Sequence, residues 1–408
     1  MPDSLRLSDR LSDVDRLRAT SPMYDAVIDE QRGRHIRVGD RWLVDFASCN
    51  YLGFDLDPQI AAAVGEAIRR WGTHPGWSRL LGNPRLYPLI EERLAGLLGA
   101  PDVLVLPTIT LIHMSVIPVL AGDGTVFLDA RAHKTMYDGC VYARGLGATV
   151  HRFRTGDPEH LEDLLRVSPP GRRLICLDGV DSMTGEVADL PTFAWLAREY
   201  DAWLYLDDAH GFGVVGERRA DETCPYGARG NSVVRYTGES CDNVVLVGGF
   251  SKAYSALLAF LAVPTLVKEH LKVAAPPYLY SGPSPVASLA GVLAGFDVNA
   301  ARGDELRARL YRLSARVLSH LDRLGVSTSN NQCTPIVELP LAPGYDLGVA
   351  ADELWRRGVY VTLAAYPLVP RDRVGLRVQL TAAHTDADVD QLVAALSALV
   401  GAGALSIS

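Results

Sequence analysis

Two short stretches carry side chains that could act together on a carbonyl compound. AWLYLDDAHGFGVVG (202–216) and NVVLVGGFSKAYS (243–255) each run through apolar residues and stop abruptly in polar ones. Runs of that length and content read as buried parallel strands. Their functional groups then fall at the carboxyl ends, the edge at which open α/β sheets hold ligands. Asp207, Asp208 and His210 follow the first run; Ser251 and Lys252 follow the second, after Gly248 and Gly249, where another body can approach the backbone closely. A lysine amine forms a Schiff base with an aldehyde, and a carboxylate keeps a pyridine nitrogen protonated so that the ring accepts electrons. Together these are the groups that pyridoxal phosphate (PLP) requires. The alternative is that Asp207 and Asp208 cap the following turn and Lys252 is a solvated residue at a helix start.

The chain has the material to bury such a site. Its 408 residues are 48% apolar, enough for two or three domains with full cores. A net charge of −8 without a long basic run argues against nucleic acid or an anionic membrane surface as partner. Cys49, Cys140, Cys176, Cys224, Cys241 and Cys333 are scattered with no C-x-x-C pair, so no metal or redox site is expected, and a chain of this size needs no disulfides. The N-terminus is rich in Asp and Arg and lacks an apolar signal core, and no stretch is long enough to span a bilayer; a cytoplasmic protein is expected.

Several further elements must position the site. Residues 1 to about 40 are charged, with weak helical periodicity in LSDVDRLRAT and an opening expected to be disordered. RWLVDFASCNYLGFDLDP reads as a strand, a turn and the start of a helix near Pro58. THPGWSRLLGNPRLYPLIEERLAGLLG gives a Gly/Pro loop before an amphipathic helix. VLVLPTITLIHMSVIPVLAGDG reads as strand, turn and apolar helix, an arrangement that offers backbone N–H groups to a phosphate. FLDARAHKTMYDGC is a strand ending near Asp129 and then a turn with His133, a residue type that by itself is more often structural. RRLICLD is another buried strand, before a helix that Pro191 starts. Glu217–Asp242 forms a polar loop longer than a compact link, of the kind that carries specificity or moves. From about Asp297 the chain turns Arg-rich and helical, then alternates toward strands at TPIVELPL, GVYVTLAAYPLVP and VGLRVQLTAAHT. The boundaries expected are an N-terminal segment 1–57, a large domain 58–296 and a smaller α+β domain 297–408.

DDAHGFGVVG and GFSKAYS resemble the aspartate and lysine motifs of the α-oxoamine synthases. These PLP enzymes include 8-amino-7-oxononanoate synthase, 2-amino-3-ketobutyrate CoA ligase, serine palmitoyltransferase and the CqsA-type autoinducer synthases. The likeness runs from about Asp45 to about Leu396. It implies the α/β architecture of PLP-dependent transferases of fold type I, with a mostly parallel seven-stranded sheet in a large domain and a smaller C-terminal α+β domain. It also implies a homodimer with active sites at the subunit interface.

The resemblance assigns roles as well. Lys252 holds PLP and, once displaced, removes the amino acid's α-proton; Asp207 holds the pyridine nitrogen; His133, in register with Tyr137, Asp138 and Gly139, stacks on the ring. His210 and Ser182 reach the phenolic oxygen. Thr108, Ile109 and Thr110 stand at the phosphate turn, where relatives have Ser-Gly-aromatic, and Ser251 joins them. Gly249 replaces the Thr that many relatives carry three residues before the lysine, and Asp178 takes the place of a Glu. Ser281 reaches the phosphate of the partner subunit, and Gly282 lacks the second hydroxyl of that loop. Cys49 stands at the donor-binding Asn of an N-x-YLGL signature that keeps Asn50, Tyr51, Leu52 and Gly53. Arg79 lies in a stretch near the substrate and dimer interface that keeps Ser78, Gly82, Asn83 and Glu91 and has Tyr87 where His is common. Arg377 clamps the amino acid's carboxylate, Gly375 stands where a first Arg would be, and His384 is structural.

The reaction so implied is a Claisen condensation of an amino acid with an acyl thioester on CoA or a carrier protein, followed by loss of CO2. Another PLP reaction on the same fold, such as transamination, is one alternative; a non-catalytic partner subunit of a heteromeric synthase is another, although such subunits lack the lysine. The departures at Cys49, Tyr87, Ile109 and Gly249 point to a specialised biosynthetic pathway. The donor amino acid and the acyl chain stay open.

Overall fold

The computed structural model describes residues 12–330 and 332–407. The opening residues, expected to be disordered, lie outside that range. Contacts gather the chain into two compact units: residues up to Cys49, Met183–Glu186 and those from Leu310 onward form one, and Asn50–Ser182 with Val187–Arg309 form the other.

Strands fall where the apolar runs predict them. β1 (Glu30–Arg32), β2 (His35–Val38) and β3 (Arg41–Asp45) come first. β4 (Asp102–Leu106), β5 (Thr125–Asp129), β6 (Thr149–Phe153), β7 (Arg173–Asp178), β8 (Trp203–Asp207), β9 (Val244–Gly249) and β10 (Ala259–Val263) cross the larger unit. β11 (Ile336–Pro340), β12 (Val359–Tyr360), β13 (Thr362–Ala364) and β14 (Gly375–Gln379) follow.

In the larger unit seven strands form one sheet in the order β4-β10-β9-β8-β7-β5-β6. The pairings from β9 to β6 are parallel, and β10 runs antiparallel to both of its neighbours. This is the mostly parallel sheet of fold type I. β5, β9 and β10 are buried along their whole length, as continuous apolar runs in such a sheet require. Parallel pairing with aligned register brings Asp178 on β7 opposite Asp207 on β8, and Asp207 opposite Val247 on β9. β7 and β8 therefore end level, with Asp178 and Asp207 side by side, while β9 runs two residues further to Gly249.

Helices begin where polar caps stand. Among them are α1 (Ser12–Thr20), α2 (Pro58–Trp71), α3 (Leu86–Leu98), α4 (Ile109–Ala121) and α5 (Lys134–Gly145). The Asp57 carboxylate accepts the N–H groups of Gln59 and Ile60 to start α2, Thr108 Oγ1 accepts Leu111 N–H to start α4, and His133 accepts Thr135 N–H to start α5. The apolar side of α4 packs on the sheet, where Ile112, Val116 and Ile117 meet Leu104, Tyr205 and Val247.

Beneath the turn after β9, aromatic rings lock together. Phe250 and Tyr254 meet each other with centroids 5.4 Å apart, and both meet Phe212 and Phe296. Phe250 N–H donates to Leu258 O, and its carbonyl accepts Ala256 N–H. Lys252 sits on this turn.

The 217–242 loop, expected to carry specificity or to move, folds back on the unit and is buried in part. Tyr226, Ala228, Asn231, Ser232, Val233 and Val234 are buried, and Val233 N–H donates to Asp208 Oδ2 at 2.9 Å. Asp208 lies fully buried and needs donors, and the folded-back loop provides one.

In the smaller unit β12 pairs with β3 in parallel, Val359 opposite Val44, which joins the N-terminal strands to C-terminal ones in the sheet β1-β2-β3-β12. β11, β14 and β13 form a second, antiparallel sheet. The segment GVYVTLAAYPLVP thus supplies two short strands to two different sheets. Among the described residues no helix is long and apolar enough to cross a membrane.

Candidate active site

The carboxyl ends of β4, β7, β8 and β9 open onto one cavity of about 250 Å³ within the larger unit. Lys252 and Asp207 both line it, and so do Thr108, Ile109, Thr110, His133, Ser182, His210 and Ser251. The two sequence motifs thus meet at one place.

Asp207 is held by its surroundings. Its Oδ1 accepts Ala209 N–H at 2.9 Å, and its Oδ2 lies 2.9 Å from His113 Nε2. Burial pushes its carboxyl toward the protonated form, but the His113 hydrogen bond, the His113 and Lys252 charges and the Ala209 amide outweigh burial and hold it at about 2. It therefore faces the cavity ionised. Its neighbours behave oppositely: Asp178, raised by burial and then by the charge of Asp207, sits well above the usual carboxylate range, and burial raises Asp208 in the same direction. One negative charge is thus concentrated on the one carboxylate that lies across from the lysine.

His133 enters the wall from the start of α5. Its Nδ1 accepts Thr135 N–H and lies 2.8 Å from Thr135 Oγ1, which fixes the ring over the opening. His210 Nδ1 stands 2.7 Å from the Tyr51 hydroxyl in buried surroundings. A group with an aldehyde, a protonatable ring nitrogen and an anionic tail fits these residues: an amine for the first, a buried ionised carboxylate for the second, and the hydroxyls of Thr108, Thr110 and Ser251 for the third.

Other predicted residues lie elsewhere. Ser281 is not in the cavity wall; its hydroxyl is near Gly282 O, at 3.2 Å. Arg79, expected to bind substrate, is instead committed inside the unit. Its Nε donates to Asn83 at 2.7 Å, its Nη2 to Glu91 at 3.0 Å and its Nη1 to Val105 O, while the guanidinium lies 4.1 Å from the Tyr87 ring centre. Three of its five N–H donors are thus engaged, and the residue is buried. Asn50 is half-buried in the larger unit and does not line the cavity. In the smaller unit, Cys49 Sγ meets Gln379 Oε1, so its thiol donates to protein. Arg377, on β14, buries Nε and Nη2 with no partner among the described residues. Those two atoms form one edge of the guanidinium fork, the edge that takes a carboxylate bidentately. Also in that unit, His384 is fully buried, stacks on Phe46 at 4.3 Å, accepts Thr381 N–H at Nδ1 and donates from Nε2 to Asp45 O.

The residues that sequence reasoning missed are His113, Tyr205 and the Tyr51 contact to His210. A single ionisable residue in the otherwise apolar run ITLIHMSVIP was the available signal for His113.

Known proteins resemble this chain over most of its length. Residues 42–396 match the family described as Aminotransferase class I and II. The chain is 36% identical over 357 residues to 8-amino-7-oxononanoate synthase of Chromohalobacter salexigens, covering 87% of this chain and 88% of that one. It is 33% identical over 384 residues to the enzyme of the same name from Dechloromonas aromatica, covering 91% and 94%. Among solved structures it superposes on serine palmitoyltransferase of Sphingomonas wittichii with a TM-score of 0.85 at 26% identity, covering 97% of this chain and 99% of that one. The chain belongs to the class I and II aminotransferase family and, within it, to the α-oxoamine synthases, which are PLP-dependent acyltransferases.

Proposed function

We propose that this protein condenses an amino acid with an acyl thioester, releasing CO2 and free thiol and leaving an α-amino ketone. The observation that carries the reading is the shared cavity of Lys252 and Asp207, with His133, His210 and Ser182 in its walls. Lys252 and Asp207 would hold PLP by its aldehyde and its ring nitrogen, and the bound group would supply the electron sink that stabilises negative charge at the amino acid's α-carbon. Ionised Asp207 keeps a proton on that nitrogen, and His113 keeps Asp207 ionised. Lys252, displaced from its covalent role, takes the α-proton. His133 would cover the ring face, and His210, oriented by Tyr51, together with Ser182 would hydrogen-bond the phenolic oxygen. Arg377 offers its unpartnered edge to the substrate carboxylate. The α-carbon then bonds to the thioester carbonyl carbon, the C–S bond breaks, and the thiolate leaves with a proton; loss of CO2 and reprotonation of the α-carbon complete the turnover. The working form proposed is a homodimer, with Ser281 serving the partner's phosphate site.

The departures at Cys49, Tyr87, Ile109 and Gly249 support a substrate pair from a specialised pathway. The purified protein, incubated with a panel of amino acids and acyl thioesters, is expected to release CO2 and thiol in equal amounts for one pair. Formation of a keto acid without thiol release would instead mean transamination. Turnover of alanine with pimeloyl thioester would overturn the specialised reading.

A further inference from the structure

We infer that Ile109 and Gly249 are a matched pair shaping the anion end of the cavity, the isoleucine side chain occupying the space that a side chain on residue 249 would need. The inference concerns packing first, and its cofactor consequence rests on the PLP reading above. Gly249 closes β9 and is buried; Ile109 opens α4 and lies in the cavity wall beside Thr108 and Thr110. A Cβ on Gly249 would come within 2.6 Å of Ile109 Cδ1 and 3.3 Å of its Cγ1, and stand 3.5 Å from Ser251 Oγ.

Gly249 is not among the glycines with positive φ, so its backbone does not demand glycine; space does. The blocking atom is the free end of Ile109. A lone methyl could be met by turning that side chain, whereas a β-branched residue adds two atoms and leaves no such escape. Neighbouring Gly248 differs, because a Cβ there would strike the Phe260 ring of the buried aromatic cluster.

The consequence is chemical. A side chain at 249 would stand 3.5 Å from Ser251 Oγ, so it could present a hydroxyl at the same end of the cavity; this chain presents an isoleucine methyl there instead. Holding an anionic phosphate then falls on the hydroxyls of Thr108, Thr110 and Ser251. Restoring the exchange in both directions should therefore tighten the cofactor.

The test compares G249T, G249V and I109A with the doubles I109A/G249T and I109A/G249V. It reads the urea midpoint of the cofactor-free protein and the Kd for added PLP by fluorescence quenching. G249T and G249V should each lower the cofactor-free midpoint or abolish soluble expression, and I109A should recover most of that loss. I109A/G249T should then bind PLP about tenfold more tightly than I109A/G249V, since only threonine adds a donor to a charged oxygen. A G249V protein as stable as wild type, or one that I109A fails to rescue, overturns the pairing. Equal PLP affinity of the two doubles overturns the anion-end assignment. The urea series needs no cofactor, so failure of wild type to take up PLP sinks the functional reading while leaving the packing result to stand or fall separately.

Discussion

His113 Nε2 stands 2.9 Å from Asp207 Oδ2 while its Nδ1 stands 2.9 Å from the Tyr205 hydroxyl, all three groups buried. An ionised carboxylate can only accept, so Nε2 carries a proton and donates it to Asp207, while Nδ1 and the Tyr205 hydroxyl share the second hydrogen bond. In His113→Phe, Asp207 loses the bond that most opposes burial and its pKa rises from about 2, while the Tyr205 hydroxyl is left unpaired. Affinity for PLP and kcat should each fall at least about tenfold, and the pH profile of the bound cofactor's visible spectrum should move. His113→Asn, which keeps an N–H donor, should recover part of the loss. Unchanged affinity and pH profile in the Phe variant would remove His113 as a positioning residue.

Lys252→Ala should abolish the visible absorption of protein incubated with PLP and desalted, because among the described residues no other lysine lines the cavity. An unaltered spectrum would place the covalent link elsewhere.

Asp178 gives a pH-dependent prediction. Its raised carboxyl favours the folded state fully below the unfolded carboxylate value and loses that contribution as pH rises through the folded value. Asp178→Asn keeps an acceptor for His133 N–H and cannot ionise. The cofactor-free variant should gain on wild type as pH climbs from about 5 to about 8, measured by urea midpoints. Parallel pH dependences would refute it.

Arg79→Lys separates structure from substrate binding. Lysine keeps the charge near Glu91 but cannot also reach Asn83 and Val105. Stability should drop by about 2–3 kcal/mol while the amino-acid KM stays within about twofold, since the loss falls on buried hydrogen bonds to a charged group. A large KM rise at unchanged stability would return Arg79 to the substrate.

His384 is held neutral. Burial lowers it to about 4 despite its hydrogen bond to Asp45 O. The unfolded chain therefore binds the proton first, and stability is lost as pH falls from about 6.5 to about 4, by up to about 3 kcal/mol. His384→Asn should start less stable at neutral pH and lack that acid slope in chemical denaturation; an identical slope would assign it to other groups.

The sequence legibility of this protein followed periodicity and punctuation. β8 and β9 were plain because apolar runs ended in Asp207 and Lys252, and α2 was plain because Pro58 follows the capping Asp57. The surroundings of Arg79 were not legible because a motif preserves residue types without saying whether a guanidinium turns to ligand or to Glu91. The inward fold of part of 217–242 was hidden because its polar composition conceals the partner it finds in buried Asp208. His113 could not be assigned because its partners lie 92 and 94 residues away, and only the sheet register brings them across from α4.

The ring cluster under Phe250 and Tyr254 has a mechanical corollary. Each ring lies two residues from Lys252, one on either side, and each is buried. The main chain that carries the amine is thus clamped at both flanks. If Lys252 holds the cofactor and then takes the α-proton, as proposed, packing on both sides would leave torsion about its own four-carbon stem as the means by which the nitrogen moves.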